Sequence, residues 1–431
     1  MIAVGTLLFM LPVCSRQPGG MSFFDALFTA TSATSVTGLM VVDTGTYFTL
    51  FGQIVILLLM QIGGLGFMSV STILFAMTRR KISLFDRMTM AQSLGESRLQ
   101  GIVKLSRAAL LVTLGAEGAG ALLLAPRMVR DYGLWKGLWY GLFHSVSAFC
   151  NAGFSLAGGG RSLTGFLDDP WSLFVIMALS VLGGLGFSVI INIWQKRRFP
   201  LLRLHTKLVL VGTGSLIAVG TLLFFLFERD NPATLGGMSL SQKMVNALFQ
   251  SVTLRSAGFS TIDQFHLHDA SKGVAIILMV FGGAPAGTAG GLKLTTLITL
   301  MLAVSAQIRG RFDTTAFGRT IPHTQVRRAL TIFFIGTLTL VFVTILTSAI
   351  ELWTTTERYG MLNHFFEVAS TLCTVGIPHG VPASANALSR GVLIFLMFAG
   401  RVGLLTLAVS VVGSEDETPA LRYPSEDILI G

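Results

Sequence analysis

Ser35-Val36-Thr37-Gly38-Leu39 is a glycine-centred interruption of an apolar sequence, and it recurs. Asn151-Ala152-Gly153-Phe154-Ser155, Ser256-Ala257-Gly258-Phe259-Ser260 and Thr374-Val375-Gly376-Ile377 read alike, with central glycines 115, 105 and 118 residues apart. Each segment follows a short half-apolar stretch and precedes another long apolar run. Irregular backbone inside a membrane must be buried in protein or line a water-filled path. Four such loops in one chain imply a single pore with fourfold pseudo-symmetry.

Composition permits this. The chain is 52% hydrophobic and 12% charged, with a mean hydropathy of +0.72, which excludes an ordinary soluble domain. Its 431 residues have room for about eight spans of ~20 residues plus four shorter re-entrant pieces. The 48 glycines suit closely packed membrane helices. Cys14, Cys150 and Cys373 form no CxxC pair, which argues against a disulfide framework or a cysteine metal site. Met1 to Val13 is apolar but lacks a preceding basic stretch and a small-residue cleavage site, so it reads as the first helix, with a brief or clipped start, and not as a signal peptide.

Charge gives an orientation. Arg79, Arg80, Lys81, Arg87, Arg98, Lys104 and Arg107 share one connection between apolar runs; Lys196, Arg197, Arg198, Arg203 and Lys207 share a second; Arg309, Arg311, Arg319, Arg327 and Arg328 share a third. The alternating connections carry most of the acids. By the positive-inside rule the basic connections are cytoplasmic and the loop sides face out. An even number of spans then puts the N-terminus and the polar tail Gly413 to Gly431 inside. The basic clusters read either as topology signals in contact with anionic lipid or as docking surfaces for a cytoplasmic partner. Nucleic-acid binding is not expected, because no stacking aromatics interleave these charges.

The repeating unit is apolar helix, short amphipathic helix, glycine loop, apolar helix. The four units run roughly 1–14, 22–33, 35–39 and 48–78; 105–126, 135–149, 151–155 and 171–194; 206–228, 241–254, 255–260 and 272–306; and 327–353, 361–372, 374–377 and 388–413. With their connections they divide the chain into 1–78, 79–194, 195–306, 307–413 and a tail from 414 to 431. Each second long helix repeats a glycine cluster: Gly63-Gly64-Leu65-Gly66-Phe67, Gly183-Gly184-Leu185-Gly186-Phe187, Gly282-Gly283, and Gly400-Arg401-Val402-Gly403. Close helix packing explains the glycines, though not their register with the loops. All four units point the same way, a parallel and not an inverted repeat. The expected fold is an all-α integral membrane protein with four tandem helix–pore loop–helix repeats around a pseudo-fourfold central pore: eight transmembrane helices plus four re-entrant pore helices.

A dehydrated monovalent cation needs a ring of oxygens in place of its water shell, and backbone carbonyls supply one without trapping the ion. Aiming consecutive carbonyls at one axis demands conformations that glycine adopts readily. Short helices before each loop add favourable partial negative charge if their C-terminal ends face the ion. At this point the segments resemble the four filter sequences of the Trk/Ktr/HKT superfamily of potassium transporters, over nearly the whole chain. Eight spans with no additional N-terminal pair look more like the Ktr membrane subunit than the longer Trk subunit. The resemblance implies Gly38, Gly153, Gly258 and Gly376 as filter glycines, with Val36, Thr37, Asn151, Ala152, Ser256, Ala257, Thr374 and Val375 supplying adjacent carbonyls to K+. In that superfamily a serine at the first filter glycine weakens potassium preference. Tetrameric channels carry TVGYG, of which this chain keeps fragments such as Thr374-Val375-Gly376, so a shorter, less selective filter is expected. Ile377-Pro378-His379-Gly380 gives the fourth quarter a different outer sequence.

Phe281 to Lys293 reads FGGAPAGTAGGLK within an apolar span. Five glycines and a proline at ~1 and ~3 kcal/mol each do not sustain regular helix. A phosphate loop is excluded, since no strand precedes it and Gly-Leu-Lys-Leu is not Gly-Lys-Ser/Thr. A packing kink is the simpler reading. The superfamily breaks this helix with a glycine-rich loop that lies under the filter and acts as a gate, which the resemblance places at Gly282, Gly283, Ala284, Pro285, Ala286, Gly287, Thr288, Ala289, Gly290 and Gly291. Arg401 lies in mid-span, where an arginine usually faces water or a partner, and the superfamily has an arginine there; it is expected to form the intracellular barrier with the loop. Arg255, just before the third loop, is expected to pin carbonyls or a carboxylate. Lys293 reads equally as a helix-end anchor or a gate contact.

The competing classes are weaker. Ser155 or Ser260 with His144 as base would make an intramembrane enzyme, but duplicated serines fit a repeat better than a unique site, and no enzymatic activity is expected. His266 and His268 lack zinc spacing. A secondary transporter with broken helices predicts inverted halves and one central site; a Trk-type K+ or K+/Na+ transporter is the nearer alternative. The Ktr resemblance further implies a homodimer with Ile428 to Gly431 near the interface, residence in a bacterial plasma membrane, sodium as a candidate activator, and a cytoplasmic RCK-type ring of nucleotide-binding regulatory subunits responding to ATP and ADP. No cofactor is expected on this chain itself.

Overall fold

The computed structural model describes residues 1–66, 102–159, 162–354, 359–379, 386–403 and 406. The first unit's second helix beyond Gly66, with Phe67, the basic residues from Arg79 to Arg98, the last helix beyond Gly403 apart from Thr406, and the tail with Ile428 to Gly431 lie outside them.

Fifteen α-helices make up the described chain. In order they are α1 Ile2–Met10, α2 Phe23–Ser35, α3 Thr44–Tyr47, α4 Leu50–Leu65, α5 Ile102–Tyr132, α6 Leu134–Phe149, α7 Pro170–Leu185, α8 Phe187–Lys196, α9 Leu204–Glu228, α10 Leu240–Thr253, α11 Asp269–Val280, α12 Leu294–Ile308, α13 His323–Thr354, α14 Met361–Leu372 and α15 Ala387–Val402. Side-chain caps start several of them. Ser22 accepts from the Asp25 amide, Asp169 from Ser172 ahead of Pro170, and Asn386 from Ser389; Ser239 and Gln242 form a reciprocal capping box on α10. Apart from an isolated bridge between Ser15 and Phe48, the β-structure among the described residues is a hairpin between α12 and α13. There β1 Thr314–Ala316 pairs antiparallel with β2 Arg319–Ile321. Phe317 and Gly318, both at positive φ, make the two-residue turn that matches strand twist.

Three described helices are long and apolar enough to cross a membrane: Ser106–Tyr132 within α5, α9 and α13, with mean hydropathies of 1.8, 2.2 and 2.5. Only 28%, 22% and 28% of their apolar windows are buried, so most of this apolar surface faces outward, as lipid contact requires. The other expected spans are shorter or interrupted, and one interruption corrects the sequence reading. The span expected over 171–194 is α7 plus α8, bent by 96° at Gly186. Gly186 has φ +86° and ψ 140°, and Gly66 and Gly403 close α4 and α15 with nearly the same angles. An L side chain disfavours that conformation, so the final glycine of each GGLG-like cluster is a break point. The near-duplicate clusters therefore end helices, and the Phe281–Lys293 interruption differs in length and not in kind.

The same clusters explain their own register with the loops. A Cβ added to Gly63, Gly183 or Gly400 would run into the carbonyl oxygen of Thr34, Phe149 or Leu372. Those oxygens belong to the last turns of α2, α6 and α14. Gly282, at the corresponding place in the third unit, would meet the Ser256 hydroxyl at 2.7 Å. The units also close on one another. Phe143 and Cys150 join Phe9, Ile56 and Met60 in one apolar core; Phe249 and Val252 join Phe149 and Leu173 in a second; Phe28 joins Phe366, Met397 and Leu254 in a third. Arg390 Nη1 on α15 pairs with Asp25 Oδ1 on α2 at 2.8 Å, tying the last unit to the first.

Gly400→Val is expected to destabilise the purified protein by ~1–3 kcal/mol through overpacking against a backbone oxygen that cannot retreat. Gly391→Ala on the same helix, where an added Cβ meets nothing within 4 Å, should be neutral or stabilising by up to ~1 kcal/mol. Thermal unfolding in one detergent distinguishes the two.

Candidate functional site

The four short helices α2, α6, α10 and α14 end in one backbone signature. A non-glycine residue in the left-handed region comes first: Val36 at φ +58°, Asn151 at +57°, Ser256 at +71° and Thr374 at +49°. Two residues later comes a glycine at positive φ: Gly38 at +89°, Gly153 at +70°, Gly258 at +80° and Gly376 at +79°. In three loops the turn is a Schellman motif. The Thr37, Ala152 and Val375 amides reach back to the carbonyls of Ser32, Ser147 and Ser370 at 2.9, 2.7 and 2.8 Å. The third loop departs from it, with the Ala257 amide on the Thr253 carbonyl at 2.9 Å. Left-handed backbone is unfavourable by about 1–2 kcal/mol for a residue with a side chain, and Val36 is β-branched, so surrounding contacts must hold it.

Those contacts come partly from hydroxyls. Ser147, Thr253 and Ser370 donate to the carbonyls of Phe154, Phe259 and Ile377 at 2.9, 2.5 and 3.0 Å. Each bond clips the residue after the loop glycine back onto its own helix. In the first loop the internal bond is instead between Ser35 and Thr37, 2.7 Å apart.

The glycines meet. A Cβ on Gly38 would collide with Ala152 O and stand 3.2 Å from Gly153 Cα. One on Gly153 would lie 2.8 Å from Gly258 Cα, one on Gly258 2.5 Å from Val375 O, and one on Gly376 2.9 Å from Gly38 Cα. The loops thus touch in the order first, second, third, fourth and back to first. Carbonyl oxygens of Thr37, Ala152 and Val375 lie at the contacts. The donor set is neutral oxygen, suited to a hard monovalent cation.

The broken helix lies directly against this ring. Between α11 and α12 the backbone is irregular, and bonds to the second unit replace its helical ones. The Ala284 amide donates to Gly184 O at 2.9 Å, Thr288 N to Gly183 O at 3.1 Å, and Phe187 N to Ala286 O at 3.2 Å. The loop consequently occupies the space opened by the bend at Gly186. Thr288 Oγ1 accepts from Asn151 Nδ2 at 2.9 Å and donates to Phe149 O at 3.1 Å, linking it to the second loop. Gly290 and Gly291 abut Thr374 and Cys373 so closely that side chains there would collide.

Arg401 is a bridge. Its guanidinium donates to Thr288 O in the irregular segment and to Gly63 O and Gly64 O at the end of α4, the last at 3.1 Å. Arg255 is 9% exposed and donates to Gly282 O at 2.8 Å and Thr213 Oγ1 at 3.3 Å; the expected pinning is of carbonyls. Lys293 Nζ donates to Ala289 O at 2.7 Å, so it is both the residue before α12 and a contact of the irregular segment.

The hydroxyls and histidines weighed above as enzyme or metal candidates are engaged in loop connections. His144 Nε2 does lie 3.1 Å from Ser155 Oγ, but Ser155 donates to Ser162 O, accepts from the Ala157 amide, and is buried. Ser260 meets the same residue from the third loop, its amide donating to Ser162 Oγ at 3.0 Å. His266 pairs with Asp263, while the His268 amide donates to Glu228 Oε1 at 2.9 Å. Two buried carboxylates were missed. Glu117, inside α5, accepts from Gln61 Nε2 at 3.0 Å and lies 3.7 Å from Cys150 Sγ. Glu367 accepts the His379 amide at 2.9 Å behind the fourth loop. A lone acid in an apolar run carries the same signal as Arg401, so Glu117 was legible in Gly115-Ala116-Glu117-Gly118.

Comparison with known proteins gives the family. The TrkH family profile, described as a cation transport protein, matches residues 11–417. The chain is 39% identical over 430 residues to Ktr system potassium uptake protein B of Bacillus subtilis, covering 100% of this chain and 94% of that one. It is 37% identical over 432 residues to the potassium/sodium uptake protein NtpJ of Enterococcus hirae, covering 100% and 95%. The crystal structure of the potassium transporter TrkH from Vibrio parahaemolyticus superposes with a TM-score of 0.74 at 19% identity, over 96% of this chain and 82% of that one, a likeness of fold. A helical membrane protein of this architecture and these relatives belongs to the TrkH family of cation transport proteins, among the Trk/Ktr potassium transporter subunits.

Proposed function

We propose that this Ktr/Trk-type potassium uptake transporter passes K+ through the ring of Val36-Thr37-Gly38, Asn151-Ala152-Gly153, Ser256-Ala257-Gly258 and Thr374-Val375-Gly376. The observation that carries the reading is the closed circuit of glycine contacts, with neutral carbonyls at the junctions and no room for side chains. Four helix–loop–helix units, bounded at 1–78, 79–194, 195–306 and 307–413, then surround one path, and α2, α6, α10 and α14 turn their carbonyl ends toward it. Partial negative charge at those ends favours a cation. The words 'Ktr system' in the relatives' names favour a partner regulatory subunit. We further propose that this partner is a cytoplasmic ring that binds ATP or ADP, that the chain is a homodimer, and, from the alternation of charge along the chain, that both termini lie on the cytoplasmic side of a bacterial plasma membrane. Arg309 to Arg328 and the cluster ending at Arg107 are the candidate docking faces. NtpJ's potassium/sodium name favours a second reading in which Na+ also passes or activates.

Gly282 to Gly291 and Arg401 form the gate in this reading. Arg401 holds Thr288 of the loop to α4, so the barrier is a strap between the first and third units fastened by the fourth. Opening requires those bonds to break together.

Gly38→Ser is expected to lower the K+/Na+ flux ratio of the purified chain in liposomes toward unity, because its Cβ presses on Ala152 O and its φ of +89° disfavours a side chain. An unchanged ratio would remove Gly38 from the filter. Arg401→Ala removes charge-assisted bonds that stabilise the closed state by ~2 kcal/mol, so rubidium uptake without regulator should rise by up to roughly thirtyfold. Uptake and its regulation both matching wild type would show that Arg401 holds no barrier.

A further inference from the structure

Beside the irregular segment lies a cavity of about 180 Å3 that neither the ring nor the Arg401 bridge uses. Val280, Leu292, Ile332, Leu340 and Leu372 give it apolar walls. It follows α13 from Arg328 to Leu340, about 18 Å at 1.5 Å per residue. Leu330, Phe334 and Leu338 on the same helix are exposed, as expected of a surface that meets lipid.

One end of this lane is strongly basic. Arg328 lines the cavity and is exposed, with Arg327 next to it and Arg309, Arg311 and Arg319 on the connecting segment. The carboxylate of that segment, Asp313, already faces His323 at 3.5 Å, and none of the five arginines has an ion pair among the described residues. No carboxylate is among the described residues that line the cavity. Deeper in, Lys293 spends one of its N–H donors on Ala289 O and has two more.

An apolar lane in a membrane span, closed at one leaflet by arginines that have no ion pair among the described residues, matches one kind of ligand. We propose that the cavity takes one acyl chain of an anionic phospholipid from the leaflet on the basic side, with the headgroup phosphate on Arg328. A free phosphate would satisfy the arginine and leave the apolar lane unfilled, and a zwitterionic lipid would bring its own cation to the cluster. The walls include Gly291, Gly400 and Gly403, which flank the irregular segment and Arg401. An occupant therefore braces that segment from the lipid side. Its effect on flux rests on the gate reading above; its binding does not.

The test is native mass spectrometry of the purified full chain released from phosphatidylcholine vesicles with and without phosphatidylglycerol, run on wild type, Arg328→Gln and Ile332→Trp. Wild type should retain phosphatidylglycerol; Arg328→Gln should retain it about fivefold less well, the loss expected for one basic residue at a membrane surface. Ile332→Trp, which fills the lane with the arginine intact, should lose it too, and thermal unfolding checks that each variant is folded. Equal retention in all three, or protection of wild type by inorganic phosphate as strong as by phosphatidylglycerol, would overturn the site. Rubidium uptake unchanged in a variant that no longer retains the lipid would overturn the bracing alone, and the gate reading would still stand or fall at Arg401.

Discussion

A carbonyl oxygen pressed on a bare Cα organises this protein. At Gly63, Gly183 and Gly400 the last turn of one helix sits where a side chain would start on another. Helix ends normally leave carbonyls without intrahelical partners. Here those ends are buried against glycine, and their backbone turns back through the left-handed residue that starts each loop. Remove the close approach and the loops lose the wall that fixes their strain. The ring and the breaks at Gly66, Gly186 and Gly403 are thus two results of the same packing.

Fourfold likeness is a matter of backbone, and departures from it are a matter of side chains. The loop signature repeats at Val36, Asn151, Ser256 and Thr374, four residues with little in common chemically. Asn151 reaches Thr288, Ser256 reaches Cys373 O at 3.2 Å, and Thr374 fills the space beside Gly290. The second and fourth loops thus both rest on the irregular segment, while the third rests on the end of the fourth short helix. Among the described residues the third unit inserts a long irregular segment, and three cations (Arg255, Lys293 and Arg401) donate to its carbonyls. Cations placed on backbone oxygens satisfy groups that a broken helix leaves open, and they add no acid that would hold a passing cation.

Much of this was legible in the sequence. Period, charge alternation and the four glycines implied the repeat and its orientation, the likeness of the loops to the superfamily's filter sequences pointed to the family, and an arginine in an apolar span announced a partner. The identity of that partner was not legible, since Arg401 binds backbone oxygens of Gly63, Gly64 and Thr288, which carry no side-chain signature and are far away in sequence. The bend at Gly186 was hidden for another reason. Val181-Leu182-Gly183-Gly184-Leu185-Gly186-Phe187 reads as a packing motif within one apolar run, and only backbone angles separate a packed glycine from a turned one. Glu117 stands out in sequence as a lone acid in an apolar run, but its partners Gln61 and Cys150 do not. The hairpin at Phe317-Gly318 is too short for a periodic pattern to announce it.

The Asp25–Arg390 ion pair has a consequence in time. Its two residues are 365 positions apart, so the first short helix is made long before the residue that completes its surroundings. At ~5–20 residues per second of synthesis, the interval is roughly 20–70 s. During it the first unit holds a carboxylate and strained backbone without the neighbour that closes the circle. A ring built on one chain is thus finished by its last quarter, and a ribosome that stalls short of Arg390 leaves three quarters of a transporter for the cell's quality control to clear.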